Sequence, residues 1–367
     1  MKRTVLPIII ILVFLFVPLL SLSASGAGEA PETAVSVQDS LGRQVDLPGV
    51  PERIVLAGKA VIMLADAVYL FPGAGERVIA VGNTNQGLGD FFPVLDPAGG
   101  AKQVLGKDPG AEEVARLNPD LVILKTSMKS GLGSSLEALG LPVVYLSLET
   151  PEEYTRDLAI LGTLLGQSGR SRELEQLFRN RLEDVRSSVE GRGTPSALVL
   201  NYTERGGSYS FAVAPESWIQ SSQVVLAGGR PVWYQSAVSP GWNQVQFEQI
   251  AAWDPDRIII LSYQTPTGEV LERLRSDSLW SGLRAVREGN LAAFPSDFYS
   301  WGQPDTRWIL GVEWMARTIH PELRFGETAE ARAQAFFRDF YGLDESVFRE
   351  KIRPVLQGSF VPPLSGK

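Results

Sequence analysis

The sequence predicts an α/β protein of two Rossmann-like lobes with mainly parallel sheets, joined by one long α-helix and enclosing a cleft between the lobes. Three observations carry this. Short continuous apolar runs alternate with helical patterns in two separate blocks, the signature of parallel strands covered on both faces. The segment from Glu112 to Leu124 lines up without a gap with the segment from Glu248 to Ile260, each a helix pattern, a Pro-Asp turn and a buried strand. Between the two blocks lies a charged helical stretch with no strand signal.

Taken in order, Lys2 and Arg3 precede an apolar run from Val5 to Leu20 and then small and polar residues to Gly28. That pattern is a secretory signal peptide, expected to span residues 1–27 with cleavage near Ala27. Residues 34–50 alternate apolar and polar around Asp39-Ser40-Leu41-Gly42, which predicts a β-hairpin. Strands follow at Arg53 to Gly58, Arg77 to Gly82, Leu121 to Leu124 and Val143 to Leu146, with a helical pattern over Val61 to Leu70. Thr150-Pro151-Glu152-Glu153 is a capping box with proline in the first turn, opening a helix to about Leu165. After the break at Gly166 to Gly169, Leu174, Leu177, Phe178, Leu182 and Val185 form one stripe of a helix over Arg172 to Glu190. The second block has strands at Ala197 to Leu200, Ile258 to Leu261 and Leu291 to Phe294, then a helix from about Arg307 to His320. The expected organisation is a signal peptide (1–27), a first lobe (28–165), a linker helix (166–194), a second lobe (195–320) and a helical tail (321–367).

Composition excludes several functions. With no cysteine and one histidine, the chain has no disulfides, no Cys-ligated metal, no thiol chemistry, no His-cluster metal site and no cysteine for a lipid anchor. Its 34 Lys+Arg against 42 Asp+Glu argue against nucleic acid as partner. No Gly-x-Ser-x-Gly elbow, phosphate loop or dinucleotide fingerprint is present. His320 at a predicted helix end reads as a cap, since a helix C-terminus favours imidazolium. The expectation is a non-enzymatic protein without a resident cofactor or metal.

Open parallel sheets bind ligands beyond the carboxyl ends of their strands. In the first lobe those ends offer Lys59, Asn83, Thr84, Lys125 and Thr126. In the second they offer Tyr202, Arg205, Tyr234, Trp242, Tyr263, Trp301 and Arg307. Ammonium groups and amides facing aromatics with arginine suit a sizeable, partly planar, oxygen-rich or anionic ligand in the interlobe cleft.

Asp39-Ser40-Leu41-Gly42-Arg43-Gln44-Val45 with Pro51-Glu52-Arg53-Ile54-Val55, then Leu117-Asn118-Pro119-Asp120-Leu121-Val122, then Phe336-Phe337-Arg338-Asp339-Phe340-Tyr341-Gly342 follow one another in the chain. In this order they resemble the helix-linked (class III) periplasmic substrate-binding proteins of ABC importers for iron complexes and cobalamin. The resemblance implies an exported, extracytoplasmic monomer that hands a small molecule to an ABC importer permease with its cytoplasmic ATPase. It also implies that one exposed glutamate per lobe docks on the permease; the matching positions are Glu112 and Glu248. It leaves the ligand open between an iron chelate (siderophore or haem), a corrinoid, a nickel chelate, and molybdate or tungstate. For the oxyanions Lys59, Asn83, Thr84, Lys125, Thr126 and Ser127 would form the pocket. For haem, Tyr202, Tyr209, Tyr234, Tyr263 or Tyr299 would reach iron.

Overall fold

The computed structural model describes residues 34–83, 89–97, 102–323 and 326–360. The expected signal peptide and Thr84 lie outside the described residues. The chain opens with the predicted hairpin: β1 (Val35–Gln38) pairs antiparallel with β2 (Gln44–Leu47). The Asp39 carboxylate closes its turn by accepting the amides of Leu41 (2.9 Å) and Arg43 (3.0 Å).

The first sheet contains β3 (Ile54–Leu56), β4 (Val78–Gly82), β5 (Gln103–Leu105), β6 (Leu121–Lys125) and β7 (Val143–Leu146), ordered β5-β4-β3-β6-β7. Every pairing is parallel. β5 was not foreseen, because two of its three residues are exposed and it has no apolar run. The order reverses at β3, so a crevice opens where β3 ends between β4 and β6.

The second sheet has the expected parallel core, with an antiparallel addition on one side. It contains β8 (Ser196–Arg205), β9 (Ser208–Val213), β10 (Arg230–Pro231), β11 (Asn243–Val245), β12 (Arg257–Leu261) and β13 (Leu291–Ala293), ordered β11-β9-β8-β12-β13 with β10 beside the start of β8. β8, β10, β12 and β13 are parallel, whereas β9 and β11 alternate in direction. β8 continues to Arg205, and a two-residue turn at Gly206 (φ 56°) and Gly207 (φ 79°) sends the chain back as β9. This tight turn demands two successive positive φ values, which glycine takes at no steric cost.

Between the sheets, Thr150 caps the helix Pro151–Leu164 by accepting the Glu153 amide (3.2 Å). The bridging helix Ser168–Val189 follows, 22 residues or about 33 Å long. Ser171, Leu174, Phe178, Arg181 and Val185 form its buried stripe.

The internal repeat is a structural repeat. The helices Ala111–Ala115 and Phe247–Trp253 lead to Asn118 (φ 47°) and Asp254 (φ 40°), each left-handed before the proline. The aspartate after each proline then ties down the neighbouring strand. Asp120 accepts the amides of Glu52 (2.8 Å) and Arg53 (2.9 Å) before β3; Asp256 accepts the amide and hydroxyl of Ser196 (2.8 Å each) at the start of β8. Charge-assisted bonds of this kind are each worth about 1.5–3 kcal/mol.

Candidate functional site

The first-lobe wall forms where its parallel strands end. β3 runs into Gly58 (φ 85°), which the Met128 side chain covers so closely that an added Cβ would sit 3.0 Å from it. Lys59 follows, exposed, and Asn83 is exposed at the end of β4. Thr126, half-buried, opens the turn after β6. Lys125 is buried. Its amine donates to the Ser147 carbonyl and pairs with Glu149 (2.8 Å), so its charge is met within the lobe and does not face a ligand alone.

The opposite wall is aromatic. Trp218, Trp242 and Tyr263 are half-buried and in sequence of contact, with ring centroids 5.4 Å apart for Trp218 and Trp242 and 6.3 Å for Trp242 and Tyr263. Gln220, buried on the helix Ile219–Leu226, donates to the Tyr263 hydroxyl (3.0 Å) and to the Gly302 carbonyl (2.8 Å). Burial pushes the Tyr263 phenol well up, and the carboxylates of Asp305 and Glu149 push it further. Glu149 belongs to the first lobe, so Tyr263 marks where the two walls approach. Tyr234 is half-buried beside them, its hydroxyl donating to the Ser221 carbonyl (3.4 Å) and its phenol pushed up to about 12 by burial.

Four predicted ligand residues stand elsewhere or serve another purpose. Tyr202 is buried within the β8–β9 hairpin, stacked on Tyr209 and hydrogen-bonded to Glu204 (2.6 Å). Arg205 is exposed at the end of that hairpin, on a strand and not in a loop. Trp301 is 1% exposed, its indole donating to Asp297 (2.9 Å) and its ring against Phe360. Arg307 is fully buried between Asp66 (3.0 Å) and Asp297 (2.7 Å), with its guanidinium over the rings of Phe91 (4.5 Å) and Tyr299 (4.9 Å). Asp66 also accepts the Thr306 amide (3.1 Å), and Tyr154 bonds the Thr306 hydroxyl (2.7 Å). Because Asp66 lies on the first-lobe helix Val61–Val68 and Asp297 follows β13, Arg307 is a clamp between lobes. Asp305 is buried beside it without a cation of its own; burial first, then the Asp66 charge, holds its carboxyl well above the usual range.

Sequence reasoning missed Trp218, Gln220 and Glu149. A tryptophan just before a predicted apolar helix was the available signal for the first; the other two announce themselves only through partners distant in the chain.

Glu112 and Glu248 are both exposed, each in the first turn of its repeated helix. One helix starts shortly after β5 ends and the other after β11 ends, and both strands run in the direction of their sheet's central parallel strand. The two glutamates therefore stand on the side of each lobe where its parallel strands end. His320 sits at the end of the helix Trp308–Ile319, buried, its ring against the Gly228 carbonyl (3.3 Å).

YhfQ of Bacillus subtilis (strain 168), named as an ABC transporter substrate-binding lipoprotein, is 22% identical over 319 residues, covering 79% of this chain and 90% of its own. FecB of Escherichia coli (strain K12), an Fe(3+) dicitrate-binding periplasmic protein, is 24% identical over 194 residues, 52% of this chain and 61% of FecB. The crystal structure of a periplasmic solute binding protein from Veillonella parvula DSM 2008 superposes with a TM-score of 0.68 at 19% identity, over 87% of this chain and 97% of that one. These relatives are binding proteins, not enzymes. A family model, described as periplasmic binding protein, matches residues 97–298, more than half of the 367-residue chain. The two-lobed α/β architecture and this match agree: the chain belongs to the periplasmic binding protein family.

Proposed function

We propose that this protein captures an iron chelate or a corrinoid outside the cytoplasmic membrane and delivers it to an ABC importer. The observation that carries the reading is the wall of Trp218, Trp242 and Tyr263, with the first-lobe Glu149 close enough for its charge to act on the Tyr263 phenol. Half-buried aromatic faces bind the large apolar and planar surfaces of such ligands, and the polar groups fix their orientation. An oxyanion pocket built on the first-lobe lysines has less support, because Lys125 is already neutralised by Glu149. Extracytoplasmic relatives such as FecB support the location, and YhfQ supports the importer as partner.

Docking would run through Glu112 and Glu248, one per lobe. Replacing both with lysine should abolish uptake in cells while leaving ligand affinity within twofold; retained uptake would refute the docking role. The ligand class is tested by thermal shift of the purified protein with ferric siderophores, haem, cobalamin, nickel chelates, molybdate and tungstate. A ligand at 100 times its Kd adds about 2.7 kcal/mol to stability, a shift that is easily read. Stabilisation by molybdate or tungstate alone would overturn the chelate reading.

A further inference from the structure

From the charge balance of the cleft we infer that the ligand is a metal chelate of zero or positive net charge that donates N–H or O–H hydrogen bonds; this rests on the chelate reading above. Of the four cations that the sequence offers to a ligand, two are spent. Lys125 is held by Ser147 and Glu149, and Arg307 by Asp66 and Asp297. The other two, Lys59 and Arg205, are exposed, where water and salt screen their attraction for an anion.

Acceptors, in contrast, are in surplus around Tyr263. The amide oxygens of Gln220 and Gln303, residues 2% and 1% exposed, have no hydrogen-bond partner. Glu149 keeps part of its carboxylate accessible at the first-lobe wall. A buried acceptor without a donor costs free energy that a donating ligand, or water held with it, recovers. A carboxylate-rich or catecholate ligand brings more acceptors and negative charge to this surface. A hydroxamate chelate with amide or ammonium groups brings the donors it lacks.

The test is a titration of tryptophan fluorescence with three ferric complexes: desferrioxamine B (cationic), a triscatecholate (trianionic) and dicitrate (anionic). The expected result is a Kd for the desferrioxamine complex at least tenfold below both anionic ones, changing less than threefold between 50 and 500 mM NaCl. The double variant Lys59→Gln/Arg205→Gln should leave that Kd within twofold, while Trp242→Ala raises it tenfold or more. Tighter binding of an anionic complex, or a tenfold loss in the double variant, would overturn the charge assignment and leave the chelate reading standing. Binding of none of the three, with a thermal shift from molybdate alone, would refute the chelate reading itself.

Discussion

The two lobes begin their central strands in the same way and end them differently. At the start, a left-handed residue, a proline and an aspartate clamp the neighbouring strand in both lobes, through Asp120 in one and Asp256 in the other. At the ends, the first lobe presents short polar turns, whereas the second continues into a hairpin and an aromatic wall. The shared starts build the fold and the different ends build the site. Function can diverge at one end of a parallel sheet without disturbing the packing at the other.

The joint between the lobes is where this division is most costly to break. Arg307 neutralises Asp66 from one lobe and Asp297 from the other, all three fully buried. Replacing Arg307 with methionine leaves two buried carboxylates without a counter-charge, and removal of one partner of such a pair costs about 3–5 kcal/mol. Urea unfolding should show that loss. A variant within 1 kcal/mol of the parent would mean that the lobes are joined by the bridging helix and apolar packing alone.

The same joint makes stability depend on pH. Burial, then the Asp66 charge, raises the Asp305 carboxyl well above 3.8, so the folded chain keeps this proton to higher pH than the unfolded chain does. This group's contribution is therefore complete below that value and is lost as pH rises towards its elevated folded pKa, at up to about 1.4 kcal/mol per pH unit. Asp305→Asn removes the slope, so the variant should gain on the parent as pH rises from 5 to 8. Urea midpoints that run parallel over that range would show that Asp305 is not the protonated group.

Much of the fold was legible and the joint was not, for one physical reason. Continuous apolar runs such as Leu121 to Leu124 and Ile258 to Leu261 declare buried strands locally, and the repeat declares itself by its own likeness. The hairpin was missed because Asn201 to Arg205 is polar by composition, although Tyr202 is buried and the Gly206-Gly207 pair is a turn signal. Arg307 and Trp301 look like ligand contacts in the sequence because Asp66, which lies 241 residues from Arg307, joins Asp297 in consuming their donors only in the folded chain. The one local hint was Asp66 itself, a lone carboxylate in the apolar helix Val61–Val68. In the cleft, Lys125 was rightly placed at a strand end, but its pairing with Glu149 is a tertiary fact.

The likeness of the two lobes can be measured at its smallest element. If the Pro-Asp clamp does the same work twice, Asp120→Ala and Asp256→Ala should each cost about 3 kcal/mol, the lower end for two charge-assisted bonds of about 1.5–3 kcal/mol each, since the freed donors can find water. The two need not match bond for bond. Asp120 receives two amides at an exposed edge, whereas Asp256 receives an amide and a hydroxyl and is also paired with Arg284 (3.1 Å). A surface ion pair of that kind adds about 0.2–1 kcal/mol, so the Asp256 variant should be the weaker by that margin. Calorimetric unfolding of both variants tests this. Costs differing by more than about 1.5 kcal/mol, well beyond what a surface pair supplies, would show that the repeat shares a shape and not an energetic role.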